Sequence, residues 1–199
     1  PGELAAWAYL SPSWSAFDLF IHPGWRSKQS IDALSRWTSQ RLEGLVQATG
    51  AKQIPTLWIS PHDRQSVKCL ERLGFQMTDT TNLDLERPVI EPIPEIELPG
   101  GFQIRPLAGE SELPQRAIAQ HAAFGSSLEL DRYIERYRRF MRSAAYADAL
   151  DLVVLTPDNQ VAAFSIWWLD PVNKLGHLEP LGTHPAFQRQ GLARALILD

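Results

Sequence analysis

The sequence predicts an α/β protein, of the α+β kind, built in two parts. Three observations carry that expectation. Apolar runs of strand length are bounded by turn residues and interleaved with longer segments whose apolar residues recur at helical spacing. The stretch Arg87–Gly101 holds Pro88, Pro92, Pro94 and Pro99 and ends Gly100-Gly101, a density that favours extended, semi-rigid backbone and marks a boundary. Finally, Leu175 to Asp199 reads as strand, tight loop and helix start.

In chain order, Leu4–Leu10 and Ala16–Ile21 predict strands separated by a turn at Pro12. His22–Arg26 predicts a loop. Ile31–Thr49 predicts a helix on the spacing of Ile31, Leu34, Trp37, Leu42 and Leu45. Ile54–Ile59 predicts a third strand. Asp63 is a candidate N-cap for a helix reaching Leu73, with Gly74 placed to end it. Phe75–Leu85 reads as one or two strands, with alternation at Asn82-Leu83-Asp84-Leu85.

Beyond the proline-rich stretch, Phe102–Leu107 predicts a strand and Glu110–Phe124 a helix. Glu129–Ala147 predicts a second helix, its apolar stripe running through Leu130, Tyr133, Ile134, Tyr137, Phe140 and Met141. Arg132, Arg136, Arg138, Arg139 and Arg142 lie off that stripe, as a solvated basic face or as contacts for an acidic acceptor. Leu152–Leu155, a turn at Pro157-Asp158-Asn159 and Val161–Leu169 predict a hairpin, and a turn at Asp170–Asn173 leads into a strand at Leu175–Thr183.

Composition narrows the class. The 199 residues are 44% hydrophobic with a net charge of −4, which argues against a general nucleic-acid binder. Apolar runs stay well short of the ~20 residues that span a bilayer, and no membrane partner is expected. The single cysteine, Cys69, excludes an intrachain disulfide framework and a cysteine-based metal cluster, so a cytoplasmic location is the default. The chain opens at Pro1 and closes at Asp199 in the first turns of an apolar helix, so it reads as a fragment of a longer protein.

The loop Gln188-Arg189-Gln190-Gly191-Leu192-Ala193-Arg194 leads into that helix. N–H groups at a helix start lack intrahelical partners and sit at the positive end of the dipole, a setting that takes phosphate. Gly191 permits close backbone approach, Ala193 adds little bulk, and Gln188, Arg189 and Arg194 add donors. The dinucleotide fingerprint and the Walker loop both fail here, since neither a third glycine nor Gly-Lys-Ser/Thr follows.

Gln188-x-x-Gly191-x-Ala193, preceded by Thr183-His184-Pro185, resembles the pyrophosphate-binding motif of the GNAT superfamily of acetyl-CoA-dependent N-acyltransferases. The resemblance implies two partial units, each a mixed, mostly antiparallel central sheet flanked by helices. Residues 1–86 are the degenerate later part of a first copy, 87–101 a linker, and 102–199 the front part of a competent second copy. In the first copy the His22-Pro23 turn is kept, but Arg26, Gln29 and Ile31 stand at the places of Gln188, Gly191 and Ala193. Asp63–Phe75 resembles a later superfamily motif, with Leu70 where a general-acid tyrosine often stands.

The resemblance further implies acetyl-CoA as co-substrate, no metal, and a primary amine of a small molecule or peptide as acceptor. Leu181, Gly182 and Thr183 are expected to pair with the pantetheine arm and polarise the thioester carbonyl, and Pro180 suits the strand bulge of the superfamily. Alternation along the strand places His177, Glu179, Leu181 and Thr183 on one face. Glu179 is the candidate general base, its carboxyl raised if buried, with His177 ranked second; a structural carboxylate remains the other reading of Glu179. His184 shapes the turn. Of Trp167 and Trp168, one is expected in the core and the other at the acceptor cleft. The general acid lies outside this sequence, so the fragment alone is expected to turn over little. A catalytically inactive acyl-CoA-binding or interaction module is the alternative.

Overall fold

The computed structural model describes residues 4–12, 16–56, 59–80, 85–90 and 92–199. The chain divides into two compact units, Pro1–Glu86 and Arg87–Asp199.

In the first unit, β1 (Ala6–Ser11) and β2 (Ala16–Ile21) form an antiparallel pair, Ala6 opposite Ile21 and Ser11 opposite Ala16. A single 3-10 turn, Pro23–Trp25, follows, with the His22 Nδ1 accepting from Gly24 N at 3.2 Å. Helix α1 spans Lys28–Thr49; Ser27 caps it by accepting from Ser30 N, and Gly50 ends it at φ +66°. Helix α2 spans Arg64–Arg72, capped by Asp63, which accepts from Ser66 N at 3.2 Å.

Two expected strands differ. Residues 54–56 and 59 carry no ladder, and Leu57 and Trp58 lie outside the described residues. Pro55 lacks an N–H and offers only its carbonyl, which accepts from Phe17 N at 2.9 Å. Residues 75–80 and Leu85 are likewise irregular, and 81–84 lie outside the described residues. Phe75 turns inward instead and stacks on Phe17 at 5.7 Å.

The second unit is an antiparallel sheet of order β3-β4-β5-β6. These strands are β3 (Gln103–Pro106), β4 (Asp151–Leu155), β5 (Val161–Asp170) and β6 (Leu175–Thr183). β4 is buried at every position, which explains the unbroken apolar run Leu152–Leu155: packing on both faces removes the alternation.

The faces are covered by α3 (Leu113–Ala123) and α4 (Leu130–Met141) on one side and α5 (Leu192–Leu198) on the other. Leu113, Ala119, Tyr137, Val153, Phe164 and Ile166 make the core beneath α3 and α4. Leu152, Val154, Ala162, Ala163, Leu192 and Leu196 make the core beneath α5, with Leu98 of the proline-rich stretch packed on it.

The helix expected from Glu110 splits into a 3-10 turn at Gly109–Ser111 and α3. The helix expected to reach Ala147 ends at Met141. Ser143 N bonds to Phe140 O and Tyr146 N to Ser143 O, turning the chain so that the Tyr146 hydroxyl donates to Asp151 at 2.9 Å.

Candidate functional site: a glycine loop beside a free strand edge

β6 is paired on one side only, to β5. The register continues past the strand end, where His184 N donates to Ala162 O at 2.9 Å. Antiparallel ladders alternate, so that bond fixes the parity. Gly182 faces the backbone of Phe164, while Leu181 and Thr183 turn their N–H and C=O groups to the open edge. The Gln188 amide donates to the Thr183 carbonyl on this edge, at 3.5 Å.

The turn after β6 is a 3-10 turn at Pro185–Phe187, and the His184 Nδ1 accepts from Ala186 N at 3.2 Å. His184 therefore shapes the turn. Phe187 anchors it, packing on the core beneath α5 and edge-on against Phe102 at 6.5 Å.

The loop that follows has two left-handed residues, Arg189 at φ +65° and Gly191 at φ +80°. A non-glycine residue in this region is strained, and such strain persists only where the surroundings impose it. Gly191 is the N-cap of α5 and has no side chain to close the helix end; the first intrahelical bond is Ala195 N to Gly191 O at 3.0 Å. The N–H groups of Leu192, Ala193 and Arg194 are thus left without intrahelical acceptors.

Leu192, Ala195 and Leu196 are buried and pin the helix against the sheet. The loop and strand edge enclose an open groove of about 380 Å³. Leu181, Gly182, Thr183, Gln188, Arg189, Gly191, Leu192, Ala193 and Arg194 all line it; of the expected cofactor residues, Gln190 does not. A Cβ built on Gly191 meets nothing within 4 Å, so the space over its backbone is open to a ligand. The donor set and this opening fit a phosphate-bearing group.

Between Ser165, opposite Leu181, and Trp167, opposite Leu178, the register shifts. Glu179 and Pro180, joined by a cis peptide bond, stand against Ile166 alone: a bulge on β6. The extra residue overturns the expected alternation. His177 lies opposite Trp168, which packs on the α3/α4 side, and the His177 Nε2 meets the Glu179 Oε2 at 2.9 Å. Leu181 and Thr183 fall on the other face, with Leu181 joining the core beneath α5.

Glu179 is 60% exposed and His177 63% exposed, so neither is in the buried setting considered for a general base. The Trp168 Nε1 donates to the Glu179 carbonyl at 2.6 Å, and Phe140 of α4 meets the Trp168 ring edge-on at 5.5 Å. Trp167 packs on the opposite face, beneath α5. Of the basic residues on α4 and at its C-terminal end, Arg138 pairs with Glu135 and Glu110, Arg139 with Glu135, and Arg142 with Glu110.

A network that sequence reasoning missed lies under the site. Arg116 of α3 and Asp151 of β4 are both fully buried and joined Nε to Oδ1 at 3.1 Å. Arg116 also donates to Gln120 at 2.7 Å, and Asp151 accepts from the Tyr137 and Tyr146 hydroxyls. Burial, with the Asp151 charge beside them, pushes both phenols far above the ordinary tyrosine range. The signal was present: Leu113, Arg116, Ala117 and Gln120 share helical spacing, which places Arg116 on the core stripe.

Among the described residues, no group of three or more His, Cys, Asp or Glu is placed to hold a metal ion. Among them too, no helix is long and apolar enough to cross a membrane.

Residues 118–198 match the family model described as the acetyltransferase (GNAT) family. The chain is 35% identical over 132 residues to a mycothiol acetyltransferase of Thermobispora bispora, covering 62% of this chain and 41% of that protein. It is similar in structure to a GCN5-related N-acetyltransferase from Sphaerobacter thermophilus, with a TM-score of 0.63 at 18% identity, over 99% of this chain and 62% of that one. The chain thus spans less than two thirds of the length of either. The helix-flanked antiparallel sheet is the fold of the Sphaerobacter protein, and the residues that match the acetyltransferase (GNAT) family model all lie in the second unit.

Proposed function

We propose that the protein transfers an acetyl group from acetyl-CoA to a primary amine of a small-molecule or peptide acceptor, through its second unit. The observation that carries this reading is the Gln188–Arg194 loop, bent through two left-handed residues into an uncapped helix start beside the free edge of β6. Gln188, Arg189, Arg194 and the N–H groups of Gly191, Leu192 and Ala193 hold the pyrophosphate. Leu192 contributes only its backbone, since its side chain is in the core. The outward backbone groups of Leu181 and Thr183 pair with the pantetheine arm, and an N–H among them polarises the thioester carbonyl.

The acceptor nitrogen attacks that carbonyl. The C–N bond forms, the C–S bond breaks, and coenzyme A leaves as the thiolate. Glu179, at 2.9 Å from His177, takes the proton the ammonium gives up, directly or through water. The relative named for mycothiol makes mycothiol-related amines the first acceptors to assay. A cytoplasmic location accords with a thioester co-substrate and a lone cysteine.

The first unit is read as a degenerate copy. Its β2, His-Pro turn and helix start repeat those of the second: His22 lies at φ −54°, ψ 132° and His184 at φ −54°, ψ 136°, and each imidazole accepts an N–H two residues on. But Ser27 closes the start of α1, and Arg26, in the place of Gln188, is held by both oxygens of Asp63 at 2.9 Å.

The test is calorimetric titration of acetyl-CoA into wild type and Gly191→Trp, followed by an amine screen. Binding lost in the variant, with turnover in wild type, supports the reading. Binding without turnover of any amine leaves the inactive binding module. No binding at all refutes the cradle.

A further inference from the structure

Gly182 sits between the two residues whose backbone groups face the open edge, yet its own backbone conformation is one that any residue adopts, since its φ is not in the positive region. The glycine is required by its neighbour instead. A Cβ built on Gly182 would lie 2.9 Å from both Cε1 and Cε2 of Phe164, and closer still to Cζ. The tip of the Phe164 ring thus occupies the place of the missing side chain.

That ring is not free to move aside. It is fully buried. The Arg116 guanidinium lies 3.9 Å over its centroid, and Phe124 meets it edge-on at 5.9 Å. Arg116 is itself fastened by Asp151 and Gln120. The guanidinium leaves Nη2 without a partner among the described residues, an unusual cost for a buried cation, which its place over the ring face offsets.

The position along β6 gives this contact its consequence. The bulge at Glu179-Pro180 interrupts the ladder, and Phe164–Gly182 is the first pair beyond it that faces inward. The outward groups of Leu181 and Thr183 flank that pair, so their height relative to the groove follows from how closely Gly182 can approach the ring.

We propose that Phe164 is a positioning residue for the acyl donor: its ring, filling the side-chain place of Gly182, sets the edge of β6 against which acetyl-CoA is laid. This rests on the proposed function, because it names that ligand. A displacement of order 1 Å at such a site costs up to about 10²-fold in rate.

Gly182→Ala, Phe164→Leu and the double variant test it. Leucine lacks Cε1, Cε2 and Cζ, the three atoms in the way. Gly182→Ala is expected to raise KM for acetyl-CoA at least tenfold, and the double variant to return it to within about threefold of wild type. A wild-type KM in Gly182→Ala, or a double variant no better than it, overturns the proposal, as does a loss of thermal stability with unchanged kinetics. Amide hydrogen exchange at Phe164 and Gly182 reads the same contact without ligand. If wild type binds no acetyl-CoA, the proposed function is refuted; faster exchange in Gly182→Ala, restored in the double variant, then leaves the contact standing as packing only, which also overturns the positioning role.

Discussion

Replacing Asp151 by leucine removes the carboxylate on which four elements of the second unit converge. It accepts from Arg116 of α3 at 3.1 Å, from Tyr137 of α4 at 2.5 Å and from Tyr146 of the following turn at 2.9 Å, and it sits on β4 with no exposed side-chain surface. The variant leaves a guanidinium buried without its counter-charge and two phenols short of an acceptor. Breaking one side of a buried pair in this way costs about 3–5 kcal/mol. Tyr137→Phe removes only one donor to the charged acceptor and should cost about 2 kcal/mol. Arg116→Met combined with Asp151→Leu removes both charges together, so the double variant should be more stable than the sum of the singles by at least about 2 kcal/mol. Urea titration followed by tryptophan fluorescence measures wild type, the three single variants including Arg116→Met, and the double variant. Additive singles, or an Asp151→Leu variant within about 1 kcal/mol of wild type, would refute the reasoning, because the network would then carry no coupling.

Other outcomes are expected on the same grounds. The Arg105 hydrogen bond, outweighing burial and aided by the Ala108 N–H, holds the Glu112 carboxyl below the usual 4.5. A depressed carboxyl stabilises the fold above its unfolded pKa, and that stability is lost as pH falls through the folded value. Glu112→Gln should therefore be less stable by roughly 1 kcal/mol at pH 7, discounted for partial exposure, with the gap to wild type closing below about pH 4 in thermal melts. Burial pushes the Asp63 carboxyl up, but hydrogen bonds from Arg26 and Ser66 leave it lowered overall. Asp63→Ala loses an N-cap and a two-toothed ion pair and should cost about 1–3 kcal/mol in chemical denaturation, without changing acetyl-CoA affinity by calorimetry. Glu179→Gln should lower kcat by about 10²-fold with KM for acetyl-CoA little changed, read from steady-state kinetics with an amine acceptor; an equal fall in affinity would place Glu179 in binding instead.

The class of the fold and the strand–loop–helix at the end of the chain were legible because they rest on local signals. Leu175–Thr183 and the helix start just after Gly191 are carried by periodicity, a His-Pro turn and small residues at set spacing, all of which act over a few neighbours. α1 was legible through the spacing of Ile31, Leu34, Trp37, Leu42 and Leu45, and α2 through Asp63 and Gly74 at its ends. Of the strand expected at Ile54–Ile59, residues 54–56 and 59 carry no ladder, and the same local rules explain it. Its composition suits a strand, but Pro55 has no N–H to give a ladder and bonds only through its carbonyl.

The tertiary structure decided what depends on partners distant in sequence. Which face each residue of β6 presents turned on one extra residue at Glu179-Pro180 against Ile166; a bulge was expected at Pro180, but the residues it shifts are fixed only by pairing with β5, and where strict alternation placed Glu179 and Leu181 together the bulge set them apart. The exposure of Glu179, the union of Arg116 with Asp151 and the fit of the Phe164 ring against Gly182 are likewise contacts across the fold. A sequence determines hydrogen-bonding capacity and apolar spacing residue by residue, and so determined the elements here. Charge burial and steric fit exist only once those elements pack, because desolvation and van der Waals contact are set by neighbours that the chain order does not name.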